Sequence, residues 1–393
     1  MYFSISRTGA MAAGLFLAFA SWAAWAVPIT PSRDDEVIEV LPATSSNRSE
    51  ERQLRKRLAA SPQDPALAVA VARKYLDQAH ESGDPRFAGL ALAALRAWPD
   101  PAHAPADVLL VQATLQQYLH EFDTAVANLR LLLARPGGER QSQAWLTLAT
   151  VLRVQGKYAD SDVACRQVGT AGAAIYASAC LAENAALRGD VAAARQTFAG
   201  LLADPRLPAA ARGWLTTSVA ELEERDGRIA AADTAYRAVL RLGPDTYART
   251  AYADFLIAQR RSAEALAVLK DETRTDAVLL RLAIAGTLAP ASVPSTALRD
   301  VTEMHDRIAL ANERPDARVF HGREQAMFAL VVERAPEKAL ALARGDLTQQ
   351  REPLDLLVFA QAARASGQAA AIDEARRLKA AQGLHDRRID ALL

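Results

Sequence analysis

The sequence predicts an all-α fold, a solenoid of antiparallel helix pairs, on three observations. Hydrophobic residues make up 51% of the 393, aromatics only 6%, and Ala and Leu dominate the apolar set. Ala and Leu are the strongest apolar helix formers, and small Ala side chains let helices approach closely. Alternation of Val, Ile and Thr, which marks strands, is hard to find. From Glu50 onward, segments of about 12 to 15 residues with a helical pattern follow one another, broken by short Gly, Pro or Asp turns.

The first 26 residues read as a secretory signal. Arg7 supplies the positive charge, Ala10 to Ala20 is an unbroken small and apolar run, and Ala24-Trp25-Ala26 forms an A-x-A cleavage site. The apolar run is too short for a spanning helix, which needs about 20 residues, and Pro28 and Pro31 follow at once. Cleavage after Ala26 is expected, which makes the mature chain periplasmic or secreted with no integral membrane span. No Cys near the cleavage point would carry a lipid. Residues 27–49, rich in Pro, Ser and charge, read as a flexible linker, and residues 50–393 as the solenoid.

Lys plus Arg and Asp plus Glu balance at 46 each. A net charge of zero gives no electrostatic reason to expect nucleic acid or an anionic membrane as partner. The basic run Arg52, Arg55, Lys56 and Arg57 adjoins Glu50 and Glu51 and reads as a solvated helix face. Two cysteines, Cys165 and Cys180, remain. An oxidising compartment permits a disulfide between them, and two buried free thiols are the alternative.

The repeat is plainest in Ala144 to Tyr158, AWLTLATVLRVQGKY. Trp145, Leu148, Ala149 and Leu152 open one helix; Gly156 turns the chain; Tyr158, Ser161, Cys165 and Val168 start the next. Small residues such as Ala149 and Ser161 belong where two helices touch, large ones around that contact, and Gly where the backbone turns left-handed. The turn recurs at Gly189-Asp190, Gly227-Arg228, Arg260-Arg261 and Gly367-Gln368, with steps of 33 residues from Gly156 to Gly189 and from Gly227 to Arg260. Ala194 and Phe198, then Ala232, Tyr236 and Val239, then Ala265 and Leu269 stand behind those turns. Phe122, Ala125 and Leu129 close an earlier unit. Leu67 through Gly83-Asp84-Pro85 to Trp98 forms a weaker one.

This pattern of large, small, Gly and aromatic positions resembles that of tetratricopeptide repeat (TPR) proteins over roughly residues 50–385. It is best from about 106 to 270, is broken over 286–312 by Pro290 and Pro294, and is degenerate over 313–385. The resemblance implies a right-handed, TPR-like superhelix, elongated in outline, that binds proteins on its concave face. The stretch Gly83-Asp84-Pro85-Arg86-Phe87, followed by Ala93-Ala94-Leu95, is similar to one in exported bacterial TPR proteins of undefined function. Some of these are encoded beside a small membrane protein resembling metal permeases, which implies a link to envelope metal traffic.

No chemistry-bearing motif accompanies the repeats. The G-x-S-x-G elbow, Walker A loop, G-x-G-x-x-G turn and H-E-x-x-H helix are all missing. Six histidines are scattered, none spaced three or four residues from another as a helical metal site requires. No catalytic residue, metal ligand or cofactor is assigned. The expectation is a non-catalytic scaffold for an unidentified protein or peptide partner. An accessory or regulatory subunit of an envelope enzyme or transporter is the alternative. A helical domain related to lytic transglycosylases is more remote, because the chain lacks their catalytic domain.

The candidate groove residues come from three successive first helices. Tyr176 with Glu183, Trp214 with Glu221, and Tyr247 with Asp254 each place an aromatic seven residues before a carboxylate, about two turns apart on one helix face. In the TPR resemblance these are groove positions. The ladder would suit a peptide with basic and apolar residues; the bland reading has the aromatics packed between repeats and the carboxylates solvated. The linker from Pro28 to Ser49 is another candidate occupant, although Asp34, Asp35 and Glu36 would be repelled there.

Overall fold

The computed structural model describes residues 46–243, 246–290, 292, 296–313 and 322–393. The signal read over 1–26 lies outside them, as do residues 27–45 of the linker. Helix α1, Ser46–Ala60, begins four residues before the expected boundary at Glu50.

Neighbouring helices then follow in pairs. The first four pairs are α2 (Pro65–Ser82) with α3 (Arg86–Ala94), α4 (Ala106–Tyr118) with α5 (Phe122–Leu133), α6 (Ser142–Val154) with α7 (Tyr158–Thr170), and α8 (Ala174–Leu187) with α9 (Val191–Ala203). The next are α10 (Ala209–Arg225) with α11 (Ile229–Arg241), α12 (Thr246–Ala258) with α13 (Ser262–Leu269), and α14 (Asp276–Leu288) with α15 (Ala297–Asn312). Last come α16 (Gly322–Val331) with α17 (Pro336–Asp346), α18 (Pro353–Ala365) with α19 (Ala369–Gln382), and the short α20 (Arg387–Asp390). Among the described residues there is no strand. The first helix of each pair also touches the first helix of the next, so the even-numbered helices form an inner layer. This is an α-solenoid.

The repeat positions do the packing that their sizes predict. Ala149 and Ser161 are fully buried, and the Ser161 hydroxyl donates to the Ala149 carbonyl at 2.8 Å. Leu148, Leu152, Tyr158 and Val168 are buried around that contact. The turns at Gly156, Gly189, Gly227 and Gly367 all have positive φ, and Arg260 holds φ 60° at the matching place. A side chain there costs about 1 kcal/mol of backbone strain. Pro290 lies beyond the end of α14, where no helical amide is needed. Over the expected break at 286–312, α14 runs on to Leu288 and α15 occupies Ala297–Asn312, and the two remain a packed pair.

Cys165 in α7 and Cys180 in α8 are joined as a disulfide, fully buried, with Cα atoms 5.7 Å apart. It ties one pair to the next. Closing a loop of 15 residues restrains the unfolded chain by about 3 kcal/mol in the loop-entropy account.

The expected elongated outline is corrected by contacts between residues nearly two hundred apart. The Arg351 amide donates to the Val154 carbonyl and the His385 amide to the Leu187 carbonyl, both at 2.7 Å. These partners are separated by 197 and 198 residues. Gly83 lies against Thr275 at a similar separation. The carboxyl-terminal ends of α2, α6 and α8 thus meet the chain entering α14, α18 and α20. Helix carbonyls left over at one end accept from backbone amides of the next turn, and the facing helix dipoles are aligned head to tail. Tyr158 and Leu187 of the first turn share an apolar cluster with Leu356 and Leu384 of the second. The solenoid coils back onto itself along this seam.

Gly83 offers a direct test. Its φ is +67°, and a Cβ built on it would lie 2.9 Å from Thr275 Cβ. Thr275 cannot retreat, because its hydroxyl caps α14 by accepting from the Val278 amide at 3.3 Å. Gly137 has φ +83° but nothing within 4 Å of the same position. Gly137→Ala should cost about 1 kcal/mol of backbone strain, and Gly83→Ala about 2 kcal/mol or more through the added clash. Urea unfolding that gives equal costs would contradict the seam contact.

Candidate functional site

The inner helices α6, α8, α10, α12 and α14, with part of α11, the starts of α16 and α18 and Arg388 of α20, line an open lumen of about 860 Å³. Glu183, Trp214, Glu221, Tyr247 and Asp254 line it; Tyr176 sits beside it with its ring stacked on Trp214, centroids 6.1 Å apart.

The carboxylates do not form a solvated ladder, nor do they stand free for a ligand. Glu183 accepts from the Arg153 guanidinium and from the Ser218 hydroxyl, the latter at 2.6 Å. Asp254 takes a forked pair of bonds from Arg281, the shortest 2.7 Å. Glu221 accepts from the Tyr247 hydroxyl at 2.5 Å and faces Arg225 at 3.6 Å. Burial pushes the Glu221 carboxyl pKa up, and Arg225 and the Tyr247 bond oppose that shift. The Arg153, Ser218, Tyr247 and Arg281 bonds each cross to a neighbouring repeat, while Arg225 faces Glu221 from the same helix, so the ladder works largely as cement between inner helices.

The rest of the wall follows the same rule. Arg388 donates to Glu224 at 2.7 Å, and Glu224 also accepts from the buried Tyr236 hydroxyl at 2.8 Å. Arg323 donates to Glu352 and Asp355, each at 3.0 Å. The lining carries five guanidiniums (Arg153, Arg225, Arg281, Arg323, Arg388) against six carboxylates (Glu183, Glu221, Glu224, Asp254, Glu324, Glu352). Paired in this way, charges tolerate the reduced dielectric that would penalise them singly.

The aromatics behave differently. Tyr176, Trp214 and Tyr247 lie toward the amino-terminal ends of α8, α10 and α12, away from the seam. Tyr176 is 36% exposed and Tyr247 63%, so they present ring surface as a rim. The five arginines were not singled out by sequence reasoning. A signal existed for some of them: Arg153 precedes Glu183 by 30 residues and Arg281 follows Asp254 by 27, opposite charges nearly one repeat apart.

Among the described residues no group of His, Cys, Asp and Glu is disposed to hold a metal ion. No helix among them is long and apolar enough to cross a membrane. No protein-family model matches the chain, and no curated protein matches its sequence.

Changing Glu183, Glu221 and Asp254 together to Lys sets new cations against Arg153, Arg225 and Arg281. The expected result is a loss of more than about 3 kcal/mol, since removing one partner strands the other. Circular dichroism during urea unfolding measures it. A triple variant as stable as the parent would return these residues to a solvated face.

Proposed function

We propose that this chain is an exported TPR-type scaffold, with the right-handed superhelix of that family, which binds other proteins in the bacterial envelope and catalyses no reaction. The observation that carries this reading is the aromatic rim of Tyr176, Trp214 and Tyr247, three rings from three successive inner helices. Such rings give large contact area for little lost side-chain entropy and accept a cation on their faces. A partner segment with apolar residues and an occasional Lys or Arg fits the rim. Because the lumen carboxylates are already paired, the rings and not the acids would hold it.

Export is supported by the signal-like residues Arg7, Ala10 to Ala20 and Ala24-Trp25-Ala26, and by a disulfide suited to an oxidising compartment. An accessory subunit of an envelope enzyme or transporter would use the same rim on one fixed partner.

A photo-crosslinking amino acid at position 247, compared with one at Val163 on the outer helix α7, tests the reading. In intact envelopes position 247 should give discrete protein adducts and Val163 none. A single enzyme or permease in the adduct favours the accessory role. Equal labelling from both positions, or none from 247, would overturn the rim as the binding face.

A further inference from the structure

Helix α15 is covered on one side only. Val301, Met304 and Ile308 pack into the apolar cluster that also holds Leu279, Leu280 and Ile284 of α14. On the opposite side Leu310 is 60% exposed, and Leu298, at 83%, is the most exposed large apolar side chain among the described residues. Leu298, Thr302, Asp306 and Leu310 follow at intervals of four, so they form one ridge, about 18 Å from end to end. This ridge and Arg299 line a shallow groove on the helix surface. A single surface leucine is ordinary, but these two close the ends of one groove around a charged centre.

That centre carries one cation and one anion with weak partners of their own. Arg299 has a 3.4 Å contact to Asp300 and a side chain 65% exposed. Asp306 has a 3.7 Å contact to His305 and a side chain 74% exposed. Glu303 and Arg307 border the same groove but are bonded to each other at 2.6 Å, and to Arg274 and Asp276 respectively.

The ridge has the same character from either end: apolar, polar, polar, apolar. A second copy of the helix can therefore lie antiparallel on it about a two-fold axis level with Met304. That axis sets Leu298 over Leu310 of the second copy, and Leu310 over its Leu298. It also brings Arg299 toward Asp306 of the second copy, and the reverse. The two lie about 4.5 Å apart along the helix axis, within the span of an Arg stem. Two apolar contacts and two opposite-charge pairs then arise from one set of residues, as an isologous interface requires. Packing of such four-spaced ridges is the commonest helix contact.

We propose that α15 is a self-association surface, pairing antiparallel with α15 of a second copy through Leu298, Leu310, Arg299 and Asp306. The helix belongs to the outer layer, so the pairing leaves the inner aromatic rim of each copy free. This inference goes beyond the scaffold reading and stands without it.

Sedimentation equilibrium of the full chain tests the pairing. One helix on one helix is a small contact, so the association should be weak, and concentrations up to about 0.5 mM are needed to populate it. The parent should form a dimer that dissociates on dilution. Leu298→Ser together with Leu310→Ser should weaken it at least about tenfold. Asp306→Arg alone sets like charges against each other and should weaken it by a similar factor. Adding Arg299→Asp exchanges the two charges and should restore the parent affinity. All four side chains are largely exposed, so the variants should keep the parent's helix content and melting temperature. A monomer at every concentration, a dimer indifferent to the double Ser variant, or a charge exchange that restores nothing would overturn the proposal. A parent that stays monomeric while the double Ser variant melts earlier would place the cover of α15 within its own chain, and would overturn it as well.

Discussion

The seam between successive turns of the coil is the constraint on which the other features depend. A helix leaves its last carbonyls without partners, and an open solenoid gives them to water. Here Val154 and Leu187, at the ends of α6 and α8, pass theirs to the amides of Arg351 and His385. The hydrogen-bonded column continues from one turn into the next. Tyr158 and Leu187 bury apolar surface in the same place with residues of α18 and of the segment before α20. Arg388 and Glu224 add a charged pair whose members are 164 residues apart.

Closure changes what the inner surface can be. On an open groove, Glu183, Glu221 and Asp254 would face water and offer charge to a ligand. Inside a closed coil they lose solvent, and each holds a guanidinium or a hydroxyl instead. The charges become structural, and on the proposed reading recognition falls to groups that closure leaves exposed. Those are the rings of the aromatic rim at the amino-terminal ends of the inner helices.

Much of the fold was legible because helix pairing is local. Ala149, Gly156 and Ser161 announce a touching pair within a dozen residues, and the same spacing recurs at Gly189 and Gly227. Arg260 was readable as a turn only from that phase, since its residue type disfavours φ 60°. The pitch of the coil was not legible. It arises from small rotations summed over many pairs, and no short motif marks that Val154 will meet Arg351. For the same reason Tyr158 read as an aromatic packing within its own pair, with no hint that it would share an apolar cluster with Leu356 and Leu384 of the next turn. The spacing of Cys165 and Cys180 left open whether they bond; the approach of α7 to α8 brings their Cα atoms to 5.7 Å.

Hydrogen exchange at the seam addresses closure most directly. In a closed coil the Arg351 and His385 amides are bonded to carbonyls of the preceding turn. They lie outside any helix of their own, so only the seam can protect them. Exchange followed peptide by peptide in the full chain should show both amides slowed with the helices they join, opening only when the whole array opens. Exchange of both at the rate of an unprotected loop, while α6 and α8 stay protected, would contradict closure.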